Sequence, residues 1–571
     1  MIRFRFISEF LFVDALIVFL LMLGDFFLRT SLYLDKITHL FYGSGWIKII
    51  GVYGLVILIT ASLLFVVRKL PGIGIYLVLI ILAGMLTSNL LWYSVTHDFL
   101  ETSYVQVVLN SDIHAVYGAI KSYCSSTTLT YFFTALGIVS GIGVIYRKTQ
   151  KKYSLCPWGL LTVCVIGSVS SNYYLWNYLY FKLHDFPVEP ISNSIRTAIF
   201  TVKEYREFYG IQRQALSENF SSQIPNHHIV LIIDESVRYD YLSNNNSRLA
   251  TTPFLKELEA NPQFYNLGLS IAASTCSFPT KSLILTGTTE IPDVTRQTQR
   301  RPTLFQYAKR SGYETTILDA PGSNFPNIVI RKEDLRYVDH LLRADDIPGT
   351  HHFVDQRAAE TLQNFLEKPV GQFIVLVKQG AHFHYESSYP RTVAQFSRHL
   401  PRLEVNEGYG SSKEKTINSY KNALSFTVDE FARTLFSRDF TNTTIIWTSD
   451  HGQSLQEQGQ TYTHCKSEIE QAIVPLFIYS DHEWVKFLQP SLGKPEGIIT
   501  SHHHLYPTII SLITGDQNFV NNGYHSLFST KVKQQPLSYL YGGIWNLSHV
   551  IELLPYDVER FFPIVPNTTL N

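Results

Sequence analysis

This chain of 571 residues is short of several things. It has five cysteines and three methionines, only 16% of its residues are charged, and Lys+Arg and Asp+Glu stand level at 47 each. Without a basic excess it lacks the clustered positive surface that nucleic-acid binding needs. Few charges together with 46% hydrophobic residues exclude a long disordered chain. Internal repeats and low-complexity tracts are also missing. The cysteines, Cys124, Cys156, Cys164, Cys276 and Cys465, are too few and too scattered for a disulfide framework. The topology derived below leaves three of them outside the cytoplasm. That odd number reads as small apolar residues.

What the chain has in quantity is aromatics, with 34 Tyr and 37 Phe. A mean hydropathy of +0.04 averages two unlike parts. A helix needs about 20 apolar residues to cross a bilayer, and five such runs fall at about 10–28, 49–67, 72–93, 129–146 and 158–179. Nothing later in the chain approaches that length. Asp25 and Arg29 follow the first run without a small-residue cleavage site, so it reads as a retained helix. Arg3 and Arg5, then Arg68 and Lys69, then Arg147, Lys148, Lys151 and Lys152 mark alternate loops as cytoplasmic. Five crossings from that start put everything after Leu179 outside the cytoplasm of a bacterial-type inner membrane. Residues 1–185 carry 13 Lys+Arg against 8 Asp+Glu, and the remaining 386 carry 34 against 39, so the level total hides a basic anchor and an acidic outer part.

We therefore divide the chain into a transmembrane domain (1–180), a linker (181–226) with a helical stretch near Ile195–Leu216, and a catalytic domain (227–571). In the last part, short apolar runs at His228–Ile233, Thr315–Leu318, Phe373–Val377, Thr443–Trp447 and Val474–Tyr479 alternate with helical stretches such as Asp355–Leu366 and Ser419–Phe436. Buried strands alternating with helices make a mostly parallel sheet covered on both faces. The expected fold class is an N-terminal five-helix transmembrane bundle plus a C-terminal α/β domain with a mostly parallel central sheet.

Reactive groups in open α/β sheets collect at the carboxyl ends of strands. Asp234 and Glu235 follow the first apolar run, Asp450 and His451 the fourth, and Gly380-Ala381-His382 the third, with His464 further on. Carboxylates and imidazoles gathered at one rim suit zinc, one or two ions. Any one of them alone has a plainer reading as a helix cap or a surface histidine. Ser274–Lys281 is rich in hydroxyls and leads into an apolar helix, and a helix N-terminus favours a phosphate. A hydroxyl becomes a competent nucleophile when it is coordinated to a metal.

Together these motifs resemble the alkaline phosphatase/sulfatase superfamily. The membrane-anchored layout is similar to the bacterial phosphoethanolamine transferases and also to the phosphoglycerol transferases of lipoteichoic-acid type. Ser449-Asp450-His451-Gly452-Gln453-Ser454-Leu455 is close to the family's metal-binding Ser-Asp-His-Gly-Glu-Ser-Leu. Glu235 followed by Arg238, Gly380-Ala381-His382 followed by Tyr389-Pro390, and Thr463-His464 match other family positions. The resemblance implies zinc held by Glu235, Asp450 and His451, with Asp234 as an alternative or assisting acid. It also implies that Ser277 or Thr280 is a ligand and nucleophile, and that His382 and His464 act on the phosphoryl group, His464 also as a possible ligand of a second zinc. Counting back from Gly287 favours Ser277, while counting on from Cys276 gives Thr280. Thr286 stands where some transferases carry a second cysteine, which argues against a stapled catalytic domain.

The implied reaction takes the headgroup of a membrane phospholipid, phosphatidylethanolamine, through a covalent Ser/Thr intermediate to an envelope glycan or a glycolipid of lipid A type. The partners are therefore membrane lipids and glycans, with no nucleic acid. Phosphoglycerol transfer is the alternative. Sulfatase-type ester hydrolysis is another, although Ser277-Phe278-Pro279-Thr280-Lys281 has Lys where that class has Arg. A different class, a transporter or sensor with a binding-only outer domain, would make use of Asp14 and Asp25 in the first helix.

Overall fold

The computed structural model describes residues 15–27, 29–30, 60–61, 64, 72–96, 100, 105, 126–149, 190–209, 211–216, 225–289, 294–321, 329–349, 351–400, 412–457, 463–541 and 549–562. Its contacts divide the chain into two compact units. One is Met1–Val105 with Val116–Glu204, the other Gln106–Ala115 with Tyr205–Asn571.

The first unit contains α1 (Ala15–Phe27), α2 (Gly72–Thr96), α3 (Ser126–Thr149) and most of α4 (Pro190–Tyr209). Among the described residues one helix, over Tyr76–Tyr93 in α2, is long and apolar enough to cross a membrane; Ala15–Phe27 and Leu129–Ile142 are shorter apolar stretches. The expected crossing at 158–179, most of that at 49–67, and Asp14 lie outside the described residues. Leu20, Phe27, Leu77, Ile81 and Phe133 stand exposed. The unit also holds a polar knot. Asn89 donates to Ser194 Oγ and Asn193 donates to Asn89 Oδ1, both at 2.9 Å, as expected where helices associate through hydrogen bonds. Helix α4 starts five residues earlier than the sequence pattern suggested, with Pro190 as its first residue. Proline's fixed φ suits that position.

The second unit is built on eight strands: β1 (His228–Asp234), β2 (Phe264–Ile271), β3 (Glu314–Asp319), β4 (His340–Arg343), β5 (Gln372–Val377), β6 (Thr443–Ser449), β7 (Ile473–Ser480) and β8 (Thr500–Ser501). Their order is β4-β3-β5-β1-β6-β7-β2-β8. All pairings are parallel except the two made by β7. Seven strands therefore end at the same edge, and β7 begins there. The expected mostly parallel sheet is present. Helices α5 (Ser277–Thr286), α6 (Leu304–Arg310) and α9 (Leu505–Thr514) pack on one face. Helices α7 (Val354–Leu366) and α8 (Lys413–Leu424) pack on the other. Side chains alternate along a strand, so β1 sends Ile229, Leu231 and Ile233 to the α5 side and Val230 and Ile232 to the α7 side. All five are fully buried, which is why β1 reads as an unbroken apolar run.

The pattern does not announce β2, β4 or β8. Asn266, Gly268 and Ser270 interrupt β2, while β4 and β8 have four and two residues.

Candidate active site

The carboxyl ends of β1 and β6 lie side by side, with Asp234 in register with Ser449, so the residues that follow them meet. Asp450 N donates to Asp234 O at 2.9 Å. Between them, Ser236 takes a left-handed φ of 63°, a strained conformation for a residue with a side chain. It is held there by three bonds. Ser236 N donates to Asp450 Oδ1 (3.1 Å), Ser236 Oγ donates to Glu235 Oε1 (2.9 Å), and Tyr420 donates its hydroxyl to Ser236 O (2.7 Å). Gly380, just past β5, also has positive φ, and a Cβ there would lie 2.7 Å from Glu235 N and O. Only glycine lets the two strand ends approach this closely.

Glu235, Asp450 and His451 are buried and offer one ligand atom each within 4.8 Å of one another. His451 Nδ1 lies 2.6 Å from Gly452 O. A carbonyl only accepts, so Nδ1 carries a proton and Nε2 is the ring atom turned into the cluster. Ser277, the first residue of α5, completes the group: its Oγ is 3.0 Å from His451 Nε2 and donates to Glu235 Oε1 at 3.1 Å. Asp450 Oδ2 is buried without a hydrogen bond of good geometry, although Lys281 Nζ stands 3.0 Å away. Two carboxylates, an imidazole and a hydroxyl gathered in one buried cluster fit a hard-to-borderline divalent cation.

The electrostatics are those of a coupled buried cluster. Burial pushes Glu235 up, but the Lys281 ammonium and His451 outweigh it and hold this carboxyl well below its usual range. Burial and the Glu235 charge raise Asp450. For His451 burial acts downward, and the adjoining carboxylates reverse it, so its pKa is raised.

The other sequence-derived candidates are placed as follows. Thr280 is fully buried, and its Oγ1 donates to Ser274 O (2.8 Å) inside the α5 turn, away from the cluster. Asp234 also turns away. Its Oδ2 accepts from Lys378 Nζ (2.7 Å) and Trp447 Nε1 (3.1 Å), and burial raises it to about 6 against the pull of Lys378. The His464 ring stacks on His451 at 4.5 Å, and the His382 ring is 5.8 Å from His464. Burial, then His451 and His382, hold His464 well below the usual imidazole range.

One reading is corrected. Cys276 and Cys465 form a disulfide, with Cα atoms 4.6 Å apart across 189 residues. Cys465 N donates to Thr275 O (2.9 Å) and Thr275 Oγ1 to Lys466 O (2.8 Å), so the two backbones run together. The bridge joins the residue before Ser277 to the residue after His464, a pairing that spacing alone cannot show. His502, His503 and His504 form a further run of imidazoles beside the site. All three are buried; His502 accepts from Ala273 N at 3.2 Å and contacts Thr448 Oγ1 at 3.1 Å. The sequence reading also passed over Lys281 as a site residue. Its signal was its position, four residues after Ser277 and so on the same helix face.

A mostly parallel sheet whose strand ends bring two carboxylates, an imidazole and a helix-start serine together is an α/β domain with a candidate metal centre at its rim. Residues 227–515 match the sulfatase family model, about half of the chain, and the chain belongs to that family. Among curated proteins it is 23% identical over 318 residues to the Kdo(2)-lipid A phosphoethanolamine 7''-transferase of Salmonella typhimurium, covering 52% of this chain and 54% of that one. It is also 23% identical over 303 residues to the phosphatidylethanolamine transferase Mcr-1 of Escherichia coli, covering 51% and 54%. The chain thus spans about half the length of the curated relatives it matches. Among solved structures, the integral membrane lipooligosaccharide phosphoethanolamine transferase A (EptA) of Neisseria meningitidis superposes with a TM-score of 0.63 at 16% identity, covering 89% of this chain and 95% of that one. At that identity the likeness is one of fold.

Proposed function

We propose that this chain is an inner-membrane enzyme with five crossings and an extracytoplasmic catalytic domain at 227–571. In this reading it moves phosphoethanolamine from phosphatidylethanolamine to a glycan or glycolipid of lipid A type. The observation that carries the proposal is the meeting of Ser277 Oγ with Glu235 and His451 at 3.1 and 3.0 Å, beside Asp450. The relatives' names supply the phosphoethanolamine and the lipid A. Glu235, Asp450 and His451 would hold zinc, which when bound supplies Lewis acidity at the serine oxygen and the phosphoryl group.

The protein's own groups do the rest. Ser277 Oγ forms a bond to phosphorus and the bond from phosphorus to the diacylglycerol oxygen breaks. The serine proton passes to the acid–imidazole cluster that holds its Oγ at 3.1 and 3.0 Å, and His382 or His464 gives a proton to the departing alkoxide. The headgroup phosphate is now an ester of Ser277. An acceptor hydroxyl then attacks the same phosphorus and gives its proton to that imidazole, while Ser277 departs and takes its own proton back from the cluster. Anchoring keeps the site in the plane where donor lipid is concentrated.

Mass spectrometry of envelope glycolipids from cells with and without the protein tests this. Glycolipids gaining one phosphoethanolamine only when Ser277 is intact are the expected result. A glycerol phosphate increment, or none, refutes the ethanolamine assignment.

A further inference from the structure

The proposed reaction leaves Lys281 unused. It lies one helical turn after Ser277 on α5, is 4% exposed, and its ammonium sits between the two carboxylates, 2.9 Å from Glu235 Oε2 and 3.0 Å from Asp450 Oδ2. The division of the oxygens is clear. Glu235 Oε1 takes Ser236 and Ser277, and Asp450 Oδ1 takes the backbone N–H groups of Ser236 and His451. The second oxygen of each acid faces Lys281. The ammonium thus occupies the electron pairs that a cation held by these acids would draw on.

We propose that Lys281 is a resident cation of this centre. It holds Glu235 and Asp450 together in the metal-free protein and competes with a divalent ion for them. The proposal rests on the metal-binding part of the reading above. Two buried carboxylates without a counter-charge would repel each other and would be costly to desolvate. One fixed positive charge halves their excess. The same charge opposes a divalent ion a few ångströms away in a medium of low dielectric. The metal-free fold is therefore stable, and the ion binds more weakly than the acids alone would hold it. Substrate phosphate, which brings negative charge, relieves that opposition, so metal and phosphodiester bind cooperatively.

The test uses the full chain in detergent micelles, stripped of metal and titrated with zinc against a fluorescent chelator. Five forms are compared: wild type, K281M, K281Q, K281R and D450N. K281M is expected to bind zinc at least about tenfold more tightly than wild type, and K281R to stay within about threefold of it. D450N is expected to bind at least about tenfold more weakly, since it loses a charged ligand. Stripped K281M is expected to melt below stripped wild type and to be restored by zinc. If D450N loses zinc while K281M binds it no more tightly than wild type, the role of Lys281 is refuted and the metal site stands. If D450N binds zinc as wild type does, the metal site itself is refuted. A K281M melt that zinc does not restore also overturns the proposal, unless K281Q, titrated in parallel, folds and binds zinc more tightly.

Discussion

Ser277 and Thr280 are three residues apart in one helix, and the structure gives them such different surroundings that two alanine substitutions separate chemistry from stability. Ser277 is half-buried with its hydroxyl in the acid–imidazole cluster. S277A removes a single oxygen from a polar pocket edge, so stability should stay within about 1 kcal/mol. Turnover should fall by about a thousandfold or more, the scale on which losing a covalent nucleophile is felt. Thr280 is fully enclosed and donates to Ser274 O at 2.8 Å. T280A leaves that carbonyl short of a partner, about 1–2 kcal/mol, and empties a methyl-sized space, about 1 kcal/mol more. Turnover per folded molecule should stay within about threefold of wild type, because no atom of Thr280 reaches the cluster. The assay is release of diacylglycerol from a labelled phosphatidylethanolamine in mixed micelles, with melting followed on the same samples. Acid quenching should trap headgroup label on wild type and on T280A, but not on S277A. Full activity in S277A, or an inactive T280A with an unchanged melt, would refute the assignment of the nucleophile.

Other expectations follow from particular contacts. Replacing Cys276 and Cys465 by Ala, or reducing them, should cost about 2–5 kcal/mol given the long loop closed, and should lower activity by loosening Ser277 and His464; an unchanged urea midpoint in dithiothreitol argues against it. Lys378→Met strands Asp234, a carboxylate whose side chain is 2% exposed beside a Lys that is fully buried. The expected loss is about 3–5 kcal/mol, read as a urea midpoint, with no change in zinc content. Burial pushes His502 down to about 3 and His503 and His504 to about 4. Their folded values lie below the unfolded one, so the stability they contribute is in place above about pH 6.5 and is lost as pH falls through about 4. Each should add a slope of about 1.4 kcal/mol per pH unit there, and H504Q should remove one such slope from urea midpoints measured between pH 4.5 and 7.

The sequence shows the site best where chemistry follows directly on an apolar run. Glu235, Asp450 and His451 could be read that way because a strand end is a local event. The choice between Asp234 and Glu235 was also present in the pattern, though it went unused. Residues two apart share a face of β1, so Asp234 lies on the side of Val230 and Ile232, where Trp447 and Lys378 wait. The Cys276–Cys465 bridge and the seat of Lys281 depend on partners 189 and 46 or more residues away, and no local rule contains them.

The reversed strand explains how Ser277 reaches the acids. In the sheet order β2 lies three places from β1, with β6 and β7 between. At about 4.8 Å per strand that is about 14 Å. Because β7 runs the other way, β2 ends at the same edge as β1 and β6. The five residues Ala272–Cys276 then cross back over the start of β7, and five residues reach at most about 17 Å. Ala272 N donates to Ala472 O (2.7 Å) at the foot of that crossing. The segment entering β7 also receives Gly452 N on Gln471 O (2.8 Å) and Gln453 N on Glu470 O (3.1 Å), steadying the loop after His451. One antiparallel strand therefore serves as a bracket for both halves of the centre. Its amino end offers carbonyls to the serine segment and to the Asp450–His451 loop alike, which sets the helix-start serine against the acids without a longer connection.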